Sequence, residues 1–105
     1  PVRSCLMLAP QIDNGEITTI EGISENSSYN DLREAFKKYH ALQCGYCTPG
    51  FITTIVYFLE KKQFLKEEEI REKLSGNICR CTGYTGIVKA VEEVFLNRFK
   101  KSKND

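Results

Sequence analysis

The stretch of sequence that decides the fold is QCGYCTPG, residues 43–50, together with GNICRCTGYTG, residues 76–86. Each stretch is rich in glycine, carries a close pair of cysteines and leads into a segment with a helical pattern. The four paired cysteines are Cys44, Cys47, Cys79 and Cys81. An all-thiolate ligand set selects zinc, copper(I) or an iron–sulfur cluster and rejects magnesium and calcium. The two loops together therefore predict a site for a soft metal.

The spacing of the cysteines leaves the kind of metal open. Structural zinc ribbons usually use two C-x-x-C pairs, whereas the second pair here is C-x-C and the segment between the pairs is long enough for two helices. A [2Fe–2S] cluster also takes four cysteines, and each of its irons can take one pair. Cysteine spacing alone gives no preference between zinc and a [2Fe–2S] cluster.

The total of five cysteines is odd, so a disulfide framework would leave one of them unpaired. Two bridges among the four paired cysteines would suit a secreted protein. Nothing in the sequence looks secreted, and close cysteine pairs in cytosolic proteins more often bind metal. Metal binding is therefore the preferred interpretation.

The composition is that of one small globular domain. The chain has 105 residues, of which 41% are hydrophobic and 28% charged. The formal net charge of +1 gives no electrostatic reason to expect nucleic acid or a membrane surface as a partner. No apolar run approaches the roughly 20 residues needed to span a bilayer, and no leader sequence is visible. These features predict a cytoplasmic protein.

Residues 28–99 show the apolar spacing of four short helices. They are expected at about residues 28–39, 48–62, 66–75 and 85–99. Ser28 and Asp31 approximate a capping box for the first helix, and Thr48 and Thr85 are expected to cap the second and fourth. The expected buried positions are Leu32, Ala35, Phe36, Tyr39, Phe51, Ile52, Ile55, Val56, Leu59, Ile70, Leu74, Ile87, Val88, Val91, Phe95 and Phe99. Each cysteine pair thus precedes a helix N-terminus, whose free N–H groups and dipole favour negative charge.

Residues 1–27 differ from the rest of the chain. Short β-prone runs flank Asn14-Gly15, which is a turn or hairpin signal. Such a segment buries little surface alone and is expected to be the edge of something larger. At the other end, residues 100–105 are expected to form a polar, frayed tail.

The sequences HALQCGYCTPG, residues 40–50, and LSGNICRCTGY, residues 74–84, resemble the signature loops of the [2Fe–2S] small subunit of the xanthine oxidase family. This family of molybdenum hydroxylases includes xanthine dehydrogenases, aldehyde oxidoreductases and aerobic carbon monoxide dehydrogenases. The resemblance covers essentially residues 1–99. It implies a mostly α fold, a four-helix bundle of two helix–loop–helix hairpins. The bundle, residues 28–99, would hold a [2Fe–2S] cluster on Cys44, Cys47, Cys79 and Cys81.

The resemblance also implies that residues 1–27 are a short β remnant and linker from a plant-type ferredoxin domain. Arg3-Ser4-Cys5-Leu6 resembles the last ligand segment of that domain. Its other ligands, in a C-x4-C-x2-C run, are absent from the chain. Cys5 is therefore expected to bind no metal, and the chain is expected to be a C-terminal piece of the small subunit.

The function implied by the resemblance is electron transfer. Electrons would pass from a molybdopterin site through this cluster to a second [2Fe–2S] cluster and a flavin. Gln43 and Cys81 would contact the pterin, although Gln43 is also interpretable as a loop-capping residue. The implied partners are a large molybdopterin-binding subunit and a medium FAD-binding subunit. No residue is assigned to catalysis, because the sequence shows no convincing nucleophile or acid–base pair.

Two other functions remain open from the residues themselves: a zinc-stapled interaction module and a metal-dependent regulator that senses iron or oxidants. Tyr46 and Tyr84, which lie beside the cysteines, are interpreted as packing over the metal site. The substrate of the complex is not indicated by this chain.

Overall fold

The computed structural model describes residues 1–99, and within that range the ordered elements are all helical. Five α-helices follow one another along the chain: α1 Ile20–Glu25, α2 Asn30–Lys38, α3 Thr48–Glu60, α4 Glu67–Lys73 and α5 Thr85–Arg98. Short 3-10 helices cover Ser4–Leu6, Ala9–Ile12 and Ser27–Tyr29. The predicted mostly α fold is confirmed, and α2 to α5 match the four expected helices. The expected polar tail, residues 100–105, lies outside the described residues.

The core is one continuous group of buried side chains contributed by all five helices and the loops between them. Its largest fully buried members are Phe36 on α2, Phe51 on α3 and Phe95 on α5. Helix α5 packs against α2 and α4, and α1 packs against α3. The predicted buried faces are confirmed, except that Tyr39 and Phe99 are only partly buried.

Two ion pairs and a tyrosine hydroxyl connect α2 to α5, near both ends of α2. Arg98 donates from two nitrogens to the two carboxylate oxygens of Asp31, each at 2.8 Å. At the other end, Lys38 lies 2.6 Å from Glu93 and the Tyr39 hydroxyl lies 3.0 Å from the same carboxylate. These contacts hold α2 and α5 in an antiparallel arrangement, and the first cysteine loop begins at the end of α2.

Helix α2 ends in a Schellman motif that turns the chain into the first cysteine loop. His40 takes a left-handed conformation with φ of 53°. The N–H of Ala41 donates to the Phe36 carbonyl at 2.9 Å, and the N–H of His40 donates to that of Lys37 at 3.3 Å. Lys62, with φ of 55°, ends α3 in the same way.

The N-terminal segment departs from the expectation. Residues 1–99 contain no β-strand, so the β remnant is not confirmed. Asn14 does turn the chain, with φ of 62°, but the flanking runs do not pair. A lone two-stranded hairpin is marginally stable in water, and residues 1–99 offer no further strand to support one. Helix α1, which was not expected, follows instead.

None of the helices in residues 1–99 is long and apolar enough to cross a membrane.

Candidate metal centre

The two cysteine loops meet at one end of the helices. The first loop joins α2 to α3, and the second joins α4 to α5. The Sγ atoms of Cys44 and Cys81 lie 3.4 Å apart, which we call the outer contact. The thiols of Cys47 and Cys79 are near enough to shift each other's pKa, and we call this pair the inner contact. Each contact therefore joins one cysteine from each loop, rather than two cysteines of the same loop.

The four thiols differ in their exposure to solvent. Cys79 is buried, with 6% of its surface exposed, and Cys47 is half-buried. Cys44 and Cys81 are exposed. The site thus has an inner side that faces the core and an outer edge that faces solvent. All five cysteines are free thiols, and Cys5 is exposed on the N-terminal segment.

At the inner contact the pKa values of the two thiols are shifted in opposite directions. Burial acts to raise the pKa of Cys79, but hydrogen bonds from the Thr82 side chain, the nearby backbone and Cys47 lower it to about 7. Burial raises the pKa of Cys47 to about 11, and its contact with Cys79 adds to the shift. The thiol of Cys47 therefore holds its proton to a higher pH than the thiol of Cys79 does.

At the outer contact, too, the pKa of one thiol is lowered and the pKa of the other is raised. A backbone hydrogen bond at Tyr46, followed by the contact with Cys81, lowers the pKa of Cys44. The contact with Cys44 in turn raises the pKa of Cys81. A metal that displaces the thiol protons would find two sulfurs near each other at each contact.

The second loop is held by hydrogen bonds that sequence reasoning missed. The Thr82 hydroxyl lies 3.1 Å from Cys79 Sγ, and the N–H of Cys79 donates to the Tyr84 hydroxyl at 2.9 Å. The side-chain amide of Asn77 donates to the Thr54 hydroxyl on α3 at 3.1 Å. The sequence did offer one signal, since Thr82 is a small hydroxyl residue three positions after Cys79. Whether its hydroxyl reaches the Cys79 sulfur depends on a turn that the sequence does not specify.

The aromatic residues beside the cysteines have different surroundings. Tyr84 packs its ring edge-on against Phe51, with centroids 6.4 Å apart, and its hydroxyl accepts from the N–H of Cys79. Tyr46 does not pack over the site, because 93% of its surface is exposed. Ile78, which precedes Cys79, is 82% exposed. Two large exposed side chains, Tyr46 and Ile78, thus adjoin cysteines in the two loops.

The helix starts near the site differ from the expected caps. Cys47 itself occupies the N-cap position of α3, and the buried hydroxyl of Thr48 has no hydrogen-bond partner. Tyr84 occupies the N-cap position of α5, so Thr85 is the first residue of that helix. Ser28 does not cap α2 and instead donates its N–H to the Asn26 side chain. The link between each cysteine loop and a helix N-terminus is nevertheless present.

Gln43 is exposed and directly precedes Cys44 at the outer edge. Together with exposed Cys81, it lies on the part of the site that solvent or another chain can reach. Within residues 1–99, no three side chains of His, Cys, Asp or Glu are grouped as the ligands of a single metal ion.

Residues 19–92 match the model of the [2Fe-2S] binding domain family, and the chain belongs to that family. It is 45% identical over 97 residues to the caffeine dehydrogenase subunit gamma of Pseudomonas sp. strain CBB1, covering 90% of this chain and 58% of that subunit. It is 52% identical over 90 residues to the nicotine 6-hydroxylase small subunit of Paenarthrobacter nicotinovorans, covering 86% and 54%. Iron–sulfur-binding subunits of xanthine dehydrogenase and aldehyde oxidoreductase are further relatives.

Solved structures agree with the sequence relatives. Quinoline 2-oxidoreductase from Pseudomonas putida 86 superimposes with a TM-score of 0.81 at 40% identity, over 97% of this chain and 63% of that one. The resemblance to small iron–sulfur subunits of the xanthine oxidase family is therefore confirmed. The chain spans about half to three fifths of the length of the curated relatives named above.

Proposed function

We propose that the chain is an electron-transfer iron–sulfur subunit, or part of one, in a molybdenum hydroxylase. Its ligands are Cys44, Cys47, Cys79 and Cys81, which together hold one [2Fe–2S] cluster. The observation that carries the proposal is the pairing of sulfurs across the two loops in a member of the [2Fe-2S] binding domain family.

The donor set fits this cluster. A tetrahedral metal with metal–sulfur bonds of about 2.3 Å spaces two thiolates by about 3.8 Å. The outer contact, at 3.4 Å, needs only a small opening to reach that spacing. One iron would take Cys44 and Cys81, and the other would take Cys47 and Cys79. The sequence suggested one iron for each cysteine pair along the chain, and the contacts favour the crossed assignment instead.

When bound, the cluster supplies one-electron chemistry. The chain's own part is to hold it, to keep water from the inner side at Cys79 and to present the outer edge at Cys44 and Cys81. We propose that Gln43 and Cys81 contact the pterin of a molybdopterin cofactor at this edge. A side-chain amide and a ligand sulfur can both hydrogen-bond a polar ring. Electrons would then leave toward a second [2Fe–2S] cluster and a flavin.

The architecture follows the same proposal. Helices α2 to α5 form a four-helix bundle of two helix–loop–helix hairpins, residues 28–99. Residues 1–27 are the remnant of a ferredoxin-like domain and its linker, in which Cys5 binds no metal. The partners are a large molybdopterin-binding subunit and a medium FAD-binding subunit, and the complex works in the cytoplasm. Similarity to subunits of caffeine dehydrogenase, nicotine 6-hydroxylase and xanthine dehydrogenase supports this assignment.

The experiment that tests electron entry uses Gln43→Ala in the assembled complex. The visible spectrum of the cluster should remain nearly unchanged, because Gln43 is not a ligand. Cluster reduction by substrate should slow, or the complex should assemble more weakly. Gln63→Ala is the matched control, since Gln63 is an exposed glutamine beyond the end of α3. Wild-type reduction and assembly in Gln43→Ala would rule out this entry point.

A further inference from the structure

Cys79 is held more tightly than the other cysteines by the loop that follows it. Its sulfur lies 3.1 Å from the Thr82 hydroxyl, and its backbone N–H donates to the Tyr84 hydroxyl at 2.9 Å. It is also the buried member of the four cysteines at the site, with 6% of its surface exposed. Water therefore has little access to this sulfur and could not easily replace the Thr82 hydroxyl as its hydrogen-bond donor.

The direction of the Thr82 hydrogen bond follows from its neighbours. The backbone N–H of Tyr84 can only donate, and it lies 3.2 Å from the Thr82 hydroxyl oxygen. The hydroxyl accepts that bond, which leaves its own hydrogen for Cys79. A metal-bound thiolate is an acceptor only. The chain of donors thus runs from the Tyr84 amide through the Thr82 hydroxyl to the Cys79 sulfur.

A left-handed turn produces this geometry. Gly83 and Tyr84 have φ of 69° and 71°, and together they fold the chain back toward Cys79. A left-handed conformation is uncommon for a tyrosine, so its surroundings must hold it there. The ring of Tyr84 packs edge-on against buried Phe51. The core of the domain therefore sets the position of the Thr82 hydroxyl.

We propose that Thr82 is a positioning residue whose hydroxyl orients the Cys79 sulfur and raises the reduction potential of the bound cluster. This inference rests on the proposed function, because it takes Cys79 to be a cluster ligand. Reduction adds a negative charge to the irons and sulfurs, and a hydrogen bond donated to a ligand sulfur stabilises that charge. The effect is greatest at a buried sulfur, where the local dielectric is low and water competes least.

The test compares Thr82→Val and Thr82→Ser in the holoprotein. Valine removes the hydroxyl at nearly constant shape, and serine keeps it. Thr53→Val is the matched control, because the Thr53 hydroxyl donates to the Pro49 carbonyl within α3 at 2.8 Å. Iron and sulfide contents are measured first, and the midpoint potential is then measured by a redox titration followed by electron paramagnetic resonance.

The expected result is a lower midpoint potential in Thr82→Val, by more than the scatter of repeated titrations. Thr82→Ser and Thr53→Val should keep the wild-type potential. Thr82→Ala, which adds no bulk, should show the same downward shift if valine disturbs the loop. A folded Thr82→Val protein that has lost iron, while Thr82→Ser retains it, would also support the positioning role. The hydroxyl would then be needed to hold the cluster as well as to set its potential.

Two outcomes would overturn the inference alone. One is a Thr82→Val protein with wild-type iron content and wild-type potential. The other is loss of iron in Thr82→Ser as well, because the hydroxyl would then not be the deciding group. A wild-type protein that holds no [2Fe–2S] cluster would instead overturn the proposed function, and the inference with it, before any variant is compared.

Discussion

At the scale of single residues, Asn77 shows how the second cysteine loop is tied to the rest of the protein. Its side-chain amide donates to Thr54 on α3, and its side-chain oxygen would lie 3.0 Å from a Cβ added at Gly50. Gly50 belongs to the first turn of α3, directly behind Cys47. Asn77 therefore links the two loops that carry the proposed ligands.

Replacing Asn77 with alanine should loosen this connection. One part-buried hydrogen bond is lost, at a cost of about 1 kcal/mol in the free energy of unfolding. Because the two loops would be less well aligned, iron should pass to a chelator faster than from the wild-type holoprotein. Asn97→Ala on the exposed side of α5 is the control and should release iron at the wild-type rate. Equal release rates in both variants would refute the role of Asn77.

The ligand candidates were accessible from the sequence, whereas their surroundings were not. Cys44, Cys47, Cys79 and Cys81 could be proposed from residue type and spacing, and they remain the proposed ligands. Thr82 and Tyr84 could not be assigned their contacts, because these depend on the left-handed turn at Gly83 and Tyr84. Sequence pattern identifies soft donors, but the hydrogen bonds to them are set by three-dimensional folding.

At the scale of helices, the approach of α5 to the end of α2 requires a glycine. A Cβ added at Gly86 would lie 2.6 Å from the Tyr39 carbonyl oxygen. Tyr39 is the C-cap of α2, so this backbone contact places the start of α5 beside the entry to the first cysteine loop. A side chain at this position cannot be accommodated without moving one of the two helices.

Gly86→Ala should therefore destabilise the protein by about 1 to 3 kcal/mol, the usual cost of overpacking. The free energy of unfolding is measured by urea denaturation. Gly22→Ala in α1 is the control, because its added Cβ would meet Thr18 at an ordinary 3.4 Å. Alanine is the better helix former, so that variant should be neutral or slightly more stable. A neutral Gly86→Ala would show that the helices can separate freely.

The ion pair between Asp31 and Arg98 makes the α2–α5 contact depend on pH. Partial burial acts to raise the pKa of Asp31, but the hydrogen bonds and charge of Arg98 outweigh it and lower the pKa below its usual range. A lowered carboxyl pKa contributes stability above the unfolded value near 4, and that stability is lost as the pH falls through the folded pKa.

Asp31→Asn should lower the free energy of unfolding by about 1 kcal/mol or less at pH 7, since both side chains are partly exposed. The difference between wild type and variant should shrink as the pH falls below about 4, because the unfolded wild type then takes up a proton on this carboxyl, and it should be lost once the pH has passed the lowered folded pKa. Urea denaturation at a series of pH values measures it. A difference that stays constant down to pH 3 would mean that the negative charge of Asp31 does not contribute to the stability of the protein.

The helices themselves were largely predictable, and the segment before them was not. Apolar spacing identified the buried faces of α2 to α5, because a helix buries the same side every three to four residues. The N-terminal runs were interpreted as strands from their composition. Strand pairing depends on partners elsewhere in a sheet, and residues 1–99 offer none. Helix α1 has too few buried residues, Ile23 alone, to show a clear pattern.

At the scale of the whole molecule, the candidate metal site depends on the complete arrangement of the helices. Each sulfur contact joins the loop between α2 and α3 to the loop between α4 and α5. A cluster bound there would connect the two halves of the sequence, and its ligands would stay in place only while α5 packs on α2 and α4. Folding and cluster binding are therefore expected to stabilise each other.

The central claim is that these four cysteines hold one [2Fe–2S] cluster, and metal and acid-labile sulfide analysis tests it most directly. Protein purified from an iron-replete host should contain about two irons and two sulfides per chain and absorb visible light. Cys5→Ser should keep this content, because Cys5 lies outside the sulfur contacts, and Cys79→Ser should lose it. Stoichiometric zinc without sulfide, in a colourless protein, would contradict the account.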